Sequence, residues 1–224
     1  MAMERQKKTS AMTDEQLKAM AAQLSCPTGE DGLRTADMMH LTNIGMTMHT
    51  AYALQVKEND SILELGHGNG RHIAQILALA ENLTYFGLEI SELMSVEANS
   101  ANDSKNALFY RYDGEHIPFD EGQFSKVMTV NTIYFWQNPV DLLKEVYRTL
   151  KIDGCFCIGF AQKEFMQTLP FTAYGFNLYD DAKLKNLVGQ TSFKLIDLRS
   201  YTEEVPTRAG EMVERTYSVA VLKK

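Results

Sequence analysis

From residue 61 onward the chain repeats one rhythm, a short apolar run followed by an amphipathic stretch. SILEL (61–65), LTYFGLEI (83–90), ALFYRYD (107–113), KVMTVNTIYF (126–135) and GCFCIGFA (154–161) read as strands. RHIAQILALA (71–80), ELMSVEANSA (92–101) and PVDLLKEVYRTL (139–150) read as helices, the first with Ile73, Ile76 and Leu77 on one face. Strands that are apolar throughout, not alternating, belong in a parallel sheet covered by helices on both faces. The rhythm therefore predicts an α/β, doubly wound, mostly parallel sheet. DAKLKNLVGQ (181–190) continues it as a helix. FKLIDLRSY (193–201) and RTYSVAVLKK (215–224) follow with no helix between them, so they pair antiparallel and the C-terminal strand runs against the rest.

Ahead of this lie N-terminal helices. Thr13-Asp-Glu-Gln16 has the form of a capping box and opens a helix through about Leu24. SCPTGEDG (25–32) is turn chemistry. Leu33, Ala36, Met39 or His40, and Ile44 then recur at helical spacing, with Gly45 as the expected break. The methionines Met38, Met39, Met46 and Met48 form either an adaptable core face or a flexible lid. With no internal repeat or long linker, the expected organisation is a mobile tail (1–12) and one domain (13–224). Within that domain, residues 13–54 form a helical cap and 162–180 an aromatic insertion.

Bulk properties narrow the function. A chain of 224 residues suits one large domain. Its net charge of −7 argues against gripping phosphate backbones, so no nucleic-acid partner is expected. The three cysteines, Cys26, Cys155 and Cys157, make no framework and point to a reducing compartment. Cys155 and Cys157 share a strand face and read as core, and no His-x-x-x-His pair offers a metal site. No run of 18 apolar residues exists, and MAMERQKKTS lacks an apolar signal core, so the expectation is a cytoplasmic protein without a membrane span.

The turn after the first strand carries the chemistry. Gly66, Gly68 and Gly70 are spaced G-x-G-x-G, whereas the dinucleotide fingerprint needs its third glycine where Arg71 stands. Glu64, two residues before the first glycine, opposes a pyrophosphate at a helix N-terminus but welcomes an ammonium group. Glu89 ends the second strand, where an acid accepts both hydroxyls of a ribose in either cofactor class. Asp113-Gly114 ends the third, where a carboxylate accepts an adenine's exocyclic amine. Ammonium, ribose and adenine sites in that order describe S-adenosylmethionine.

These motifs resemble those of class I S-adenosylmethionine-dependent methyltransferases, in the small-molecule branch that includes ubiquinone and menaquinone biosynthesis enzymes. ELGHGNG (64–70) is similar to that family's E/D-x-G-x-G-x-G, and LEI (88–90) resembles its second motif. DGEHIPFDEGQFSKV (113–127) resembles D-A-x-x-L-P-F-x-D-x-x-F-D-x-V, and YRTLKIDGCFCI (147–158) resembles R-x-L-K-P-G-G. Two departures stand out: Ser125 replaces an Asp, and Ile152-Asp153 replaces Pro-Gly. The resemblance implies a Rossmann-like fold and methyl transfer to a small-molecule acceptor, with S-adenosylhomocysteine as product. It assigns cofactor binding to Glu64, Gly66, His67, Gly68 and Gly70 of the loop, to Glu89 and Ile90, to Asp113, Gly114 and Glu115, and to Asn131.

Ligands of open α/β sheets sit beyond the carboxyl ends of the strands, which brings Asn131, Tyr134 and Trp136 near the reaction centre. Asn131-Thr-Ile-Tyr134 has the ends, without the prolines, of the N-P-P-Y motif of amino-group methyltransferases. His40, Glu115 and His116 are the candidates for a general base, none of them singled out. The stretch KEFMQTLPFTAYGFNLYD (163–180) is long for a connection and rich in aromatics. It is expected to cap an apolar, neutral acceptor site, with Tyr174 and His40 joining Tyr134 and Trp136 as substrate residues. Two other readings stand beside this one: a non-catalytic cofactor-binding scaffold and a nicotinamide-dependent oxidoreductase.

Overall fold

The computed structural model describes residues 12–207 and 210–224. All but the last residue of the expected tail, 1–12, lies outside them. Seven strands form one sheet: β1 (Ser61–Leu65), β2 (Thr84–Glu89), β3 (Ala107–Arg111), β4 (Phe124–Val130), β5 (Leu150–Ala161), β6 (Lys194–Pro206) and β7 (Met212–Lys223). Their order is β3-β2-β1-β4-β5-β7-β6, with β1 to β5 parallel and β7 antiparallel to both of its neighbours. The chain reverses its direction of travel between β1 and β4, which opens a crevice at the carboxyl ends of those two strands.

Helices cover both faces. The capping box forms as expected: Thr13 Oγ1 accepts from Gln16 N, Gln16 Oε1 accepts from Thr13 N, and α1 (Asp14–Ser25) follows. The next helix, α2 (Gly29–Ala53), is continuous. Gly45 is therefore not a break. A Cβ there would lie 2.5 Å from Glu203 Oε2, so the glycine lets β6 approach the helix. With α3 (Ile73–Leu77), α2 covers a core cluster containing Ile62, Tyr85, Met128, Cys155 and Cys157. The two cysteines lie side by side there, Sγ to Sγ 3.7 Å. On the other face α5 (Pro139–Thr149) and α7 (Asp181–Val188) bury Leu142, Leu143, Leu184 and Leu187 against Leu63, Val127 and Phe156. The remaining helices are α4 (Glu92–Ala101) and the single turn α6 (Lys163–Met166).

Several expected boundaries move. α3 starts at Ile73, not at 71, because Arg71 and His72 are drawn into side-chain bonds at the loop: Arg71 to Asp37 at 2.9 Å, His72 to Glu64 at 2.8 Å. β4 stops at Val130, not at 135, because Asn131 turns into the left-handed region (φ 57°). Its apolar sequel Ile133–Phe135 forms a 3₁₀ turn. β6 and β7 extend well past β5, and their free ends form an arm reaching α2. On that arm Arg215 donates to Glu203 Oε1 (2.6 Å), Asn43 Oδ1 (2.7 Å) and Thr42 O (2.6 Å).

Both motif departures have local explanations. Ser125 pairs reciprocally with Ser61, each backbone N–H meeting the other's hydroxyl, which staples the first residues of β1 and β4. Asp153 adopts a φ of 61° at the place of a motif glycine, a conformation Asp tolerates better than most residues.

Candidate active site

A cleft of ≈ 180 Å³ opens at the carboxyl ends of β1, β2 and β4. Its floor is the loop carrying Gly66, His67, Gly68 and Asn69, and its roof is α1 and α2, which contribute Leu24, Met39, His40 and Asn43.

The loop's three glycines do different work. Gly66 (φ 76°) has no room for a Cβ, which would overlap the methyl of Thr132. Gly70 (φ 67°) lies against α4, where a Cβ would come within 2.8 Å of Ala98. This is the close packing that the third glycine provides in a dinucleotide fold, here achieved one residue earlier. Gly68 (φ 57°) faces open space, with no atom within 4 Å of where a Cβ would lie. Its bare backbone is therefore open to a ligand.

Glu89 is buried at the end of β2. Its carboxylate accepts from Gly68 N (3.1 Å) at Oε2, and from Ile90 N (2.8 Å) and Ser91 N (3.0 Å) at Oε1. Three of about four lone-pair sites are taken, which fixes the group and leaves capacity for a ligand hydroxyl. Glu64 is buried deeper, and both its donors, His72 Nε2 (2.8 Å) and Tyr85 Oη (2.6 Å), go to Oε2. Burial by itself would raise the Glu64 pKa, but the His72 charge and hydrogen bond, with help from Tyr85 and His67, leave it lowered. Glu64 is thus a buried carboxylate already partnered within the protein.

His67 Nδ1 pairs with Gly68 O (2.9 Å), so the ring carries its proton there and presents a bare Nε2. That Nε2 and Asn69 Nδ2 are buried without partners among the described residues. Burial lowers the pKa of His67, and burial, then His72 and Arg71, lower that of His40.

Of the residues singled out in the sequence, Glu64, Gly66, His67, Gly68, Glu89, Ile90, Gly114, Asn131, His40 and Trp136 line this one cleft. Gly70 supports it from behind. Asp113 does not line it: Oδ1 accepts from Glu115 N and His116 N, and Oδ2 pairs with His116 Nδ1 at 2.7 Å. Those bonds, chiefly the ones from His116, hold its carboxyl well below the usual range. Glu115 and His116 line a neighbouring depression with Gln137 and Asn138. Tyr134 is buried beside the cleft and bonds to Asn131 and Ala161. Tyr174 lies away from it against α1, with Lys18 Nζ 5.5 Å above its ring. The aromatic insertion reaches the cleft indirectly, through Phe176 packed on Phe135 at 4.7 Å. Thr132, Phe135, Tyr112 and Asn69 also line the cleft and carry no sequence signal beyond their place after a strand or glycine.

Residues 63–158, the stretch that builds the loop and the first five strands, match the family described as "Methyltransferase domain". YrhH of Bacillus subtilis (strain 168), named as a methyltransferase, is 32% identical over 126 residues, covering 52% of this chain and 69% of that protein. The chain belongs to the methyltransferase family. Two solved structures of low identity share the fold of this methyltransferase. One is a chain from the complex between the Haloferax volcanii Trm112 methyltransferase activator and a methyltransferase: TM-score 0.74, 18% identity, 95% of this chain and 99% of that one. The other is the S-adenosylmethionine-dependent methyltransferase from Mesorhizobium loti: TM-score 0.65, 13% identity, 79% and 96% covered. The methyltransferase is of class I, and its methyl donor is S-adenosylmethionine, leaving S-adenosylhomocysteine. The open backbone at Gly68, the anchored Glu89 carboxylate and the unpartnered buried polar atoms of His67 and Asn69 fit such a donor. Among the described residues no helix is long and apolar enough to cross a membrane.

Proposed function

We propose that this enzyme methylates a small, uncharged acceptor within the cleft, as in the small-molecule branch of the family, and works in the reducing cytoplasm. The observation that carries the reading is the lining itself: among the described residues no lysine or arginine faces the cleft, while Met39, Phe135, Ile90 and Trp136 give it apolar walls. A polyanionic or carboxylate-bearing acceptor would enter without a counter-charge. The reading takes residues 13–224 as one domain, since the N-terminal roof lines the cleft and the arm holds that roof.

S-adenosylmethionine supplies, when bound, an electrophilic methyl group. In this reading Glu89 takes a ribose hydroxyl, Gly68 lets the backbone approach, and the ammonium group lies toward Glu64, whose charge His72 already shares. The roof helices exclude water and hold the acceptor in line, which supplies most of the rate. His40, on the roof, has its pKa lowered by burial, which favours the neutral imidazole, and it is positioned to take a proton from an acceptor that loses one.

Thermal unfolding tests the first half. S-adenosylhomocysteine at 100 times its Kd adds about 2.7 kcal/mol, and NAD adds nothing. Incubation with methyl-labelled donor and a metabolite extract tests the second, with label expected in the small-molecule fraction. Label found in tRNA or protein alone would refute the small acceptor.

A further inference from the structure

We propose that the Asn131 side chain is a hydrogen-bond donor to a ligand oxygen at the carboxyl end of β4, and that this side chain offers nothing to an amino group. This rests on the cleft being the methyl-transfer site. Asn131 is the first residue beyond β4, in a left-handed conformation (φ 57°) that Asn adopts more readily than most residues. Its own N–H donates to Gly159 O (2.9 Å), which ties it to β5. Its side-chain Oδ1 accepts from Ala161 N (3.2 Å). The hydroxyl of buried Tyr134, 3.0 Å from both Oδ1 and Ala161 O, shares its single proton between them.

A backbone N–H meets only the oxygen of an amide, so the Ala161 contact settles which way the side chain faces. The oxygen points into the sheet, and the NδH₂ group is the end left over. Asn131 lines the cleft, and among the described residues no acceptor reaches Nδ2. Two donors thus wait at the end of the strand, in the cleft that His40 and Trp136 also line.

The polarity decides the chemistry. An amine about to be methylated commits its lone pair to the methyl carbon and has only N–H groups left to offer. The Asn131 side chain has no acceptor free for them. A carbonyl, hydroxyl or carboxylate oxygen completes both donors. The sequence likeness to N-P-P-Y is therefore one of letters, because the Asn131 carbonyl is spent inside the protein. Two sources present such an oxygen: the acceptor substrate, and the carboxylate of the donor's amino-acid end.

The test follows the side-chain ¹⁵N–¹H resonance of Asn131 while wild-type protein is titrated with S-adenosylhomocysteine, with 5′-methylthioadenosine, which lacks the amino-acid end, and then, on the S-adenosylhomocysteine complex, with acetophenone and with benzylamine. A shift with S-adenosylhomocysteine but not with methylthioadenosine assigns the donor's carboxylate. A shift only when acetophenone is added assigns the acceptor's oxygen. Asn131→Asp keeps an acceptor for Ala161 N–H and tolerates the backbone, but turns the facing group from donor to acceptor. It should weaken binding of the responding oxygen ligand by about tenfold or more, a change of about 1.4 kcal/mol, with little change in Tm. Asn131→Gly, which keeps the backbone conformation, should weaken it similarly. The proposal fails if neither oxygen ligand moves the resonance while calorimetry shows S-adenosylhomocysteine bound, or if benzylamine alone moves it. No calorimetric binding of S-adenosylhomocysteine would instead overturn the methyl-transfer site itself.

Discussion

Gly66 and Thr132 should be energetically coupled, although 65 residues of chain separate them. Gly66 sits at φ 76° with its N–H bonded to Leu88 O (2.8 Å), and the position of its missing Cβ overlaps the Thr132 methyl. Thr132 cannot swing that methyl away freely, because its Oγ1 pairs with Thr129 Oγ1 and accepts from Trp136 Nε1 (3.1 Å). Gly66→Ala therefore carries two costs: left-handed strain of about 1–2 kcal/mol and overpacking of about 1–3 kcal/mol. Thr132→Ser deletes one methyl and keeps the hydroxyl, at about 0.8 kcal/mol. In the double variant the overlap disappears and only the strain remains, so the coupling should be about 1–3 kcal/mol. Gly68→Ala is the internal control. It has the same strain (φ 57°) but faces open space, so it should cost only about 1–2 kcal/mol. Urea unfolding of the five proteins measures each term. Additivity of the two single changes within about 0.5 kcal/mol, or a Gly68→Ala cost equal to that of Gly66→Ala, would refute the reasoning.

Glu64→Gln removes the charge that His72 and Tyr85 share, and breaking a buried pair costs about 3–5 kcal/mol. Because the Glu64 pKa is lowered by folding, its contribution is present above the unfolded value of about 4.3 and lost as pH falls through the folded one. The wild type should therefore lose more stability than Glu64→Gln on acidification from about pH 5, as read by urea midpoints. Arg215→Ala strands Glu203 and frees Asn43, so it should cost about 3–5 kcal/mol and speed amide exchange in residues 40–47, whereas Glu203→Gln should cost less because Arg215 keeps its bonds to α2.

The sheet is legible in the sequence because strands buried on both faces carry their signal in every residue, and SILEL falls on β1 without error. Where one residue overrides its neighbours, that signal misleads. TIYF continues the apolar run of β4, yet the φ of Asn131 ends the strand first. Gly45 looks like a break because the sequence does not show Glu203, 158 residues away, crossing the helix. The glycine loop and Glu89 are local patterns and stand out. The partners that tune the site are not local. Nothing near Glu64 marks Tyr85 as its donor, and nothing near Asp113 shows that His116 occupies it. Composition draws Tyr174 to the cleft, but the insertion's aromatic rings follow a path from Phe135 through Phe176 to Phe171 and leave Tyr174 on α1.

The clasp between Arg215 and α2 sets an order of events. The roof of the cleft comes from helices that leave the ribosome ahead of the sheet, and the residue of this clasp comes from β7, far behind them in the chain. A nascent chain stalled before residue 212 has a glycine loop, a Glu89 and five parallel strands, but its roof lacks this clasp. Full donor binding is then a late event, gained with the β6–β7 hairpin, and a ligand that bridges floor and roof favours chains that have reached it.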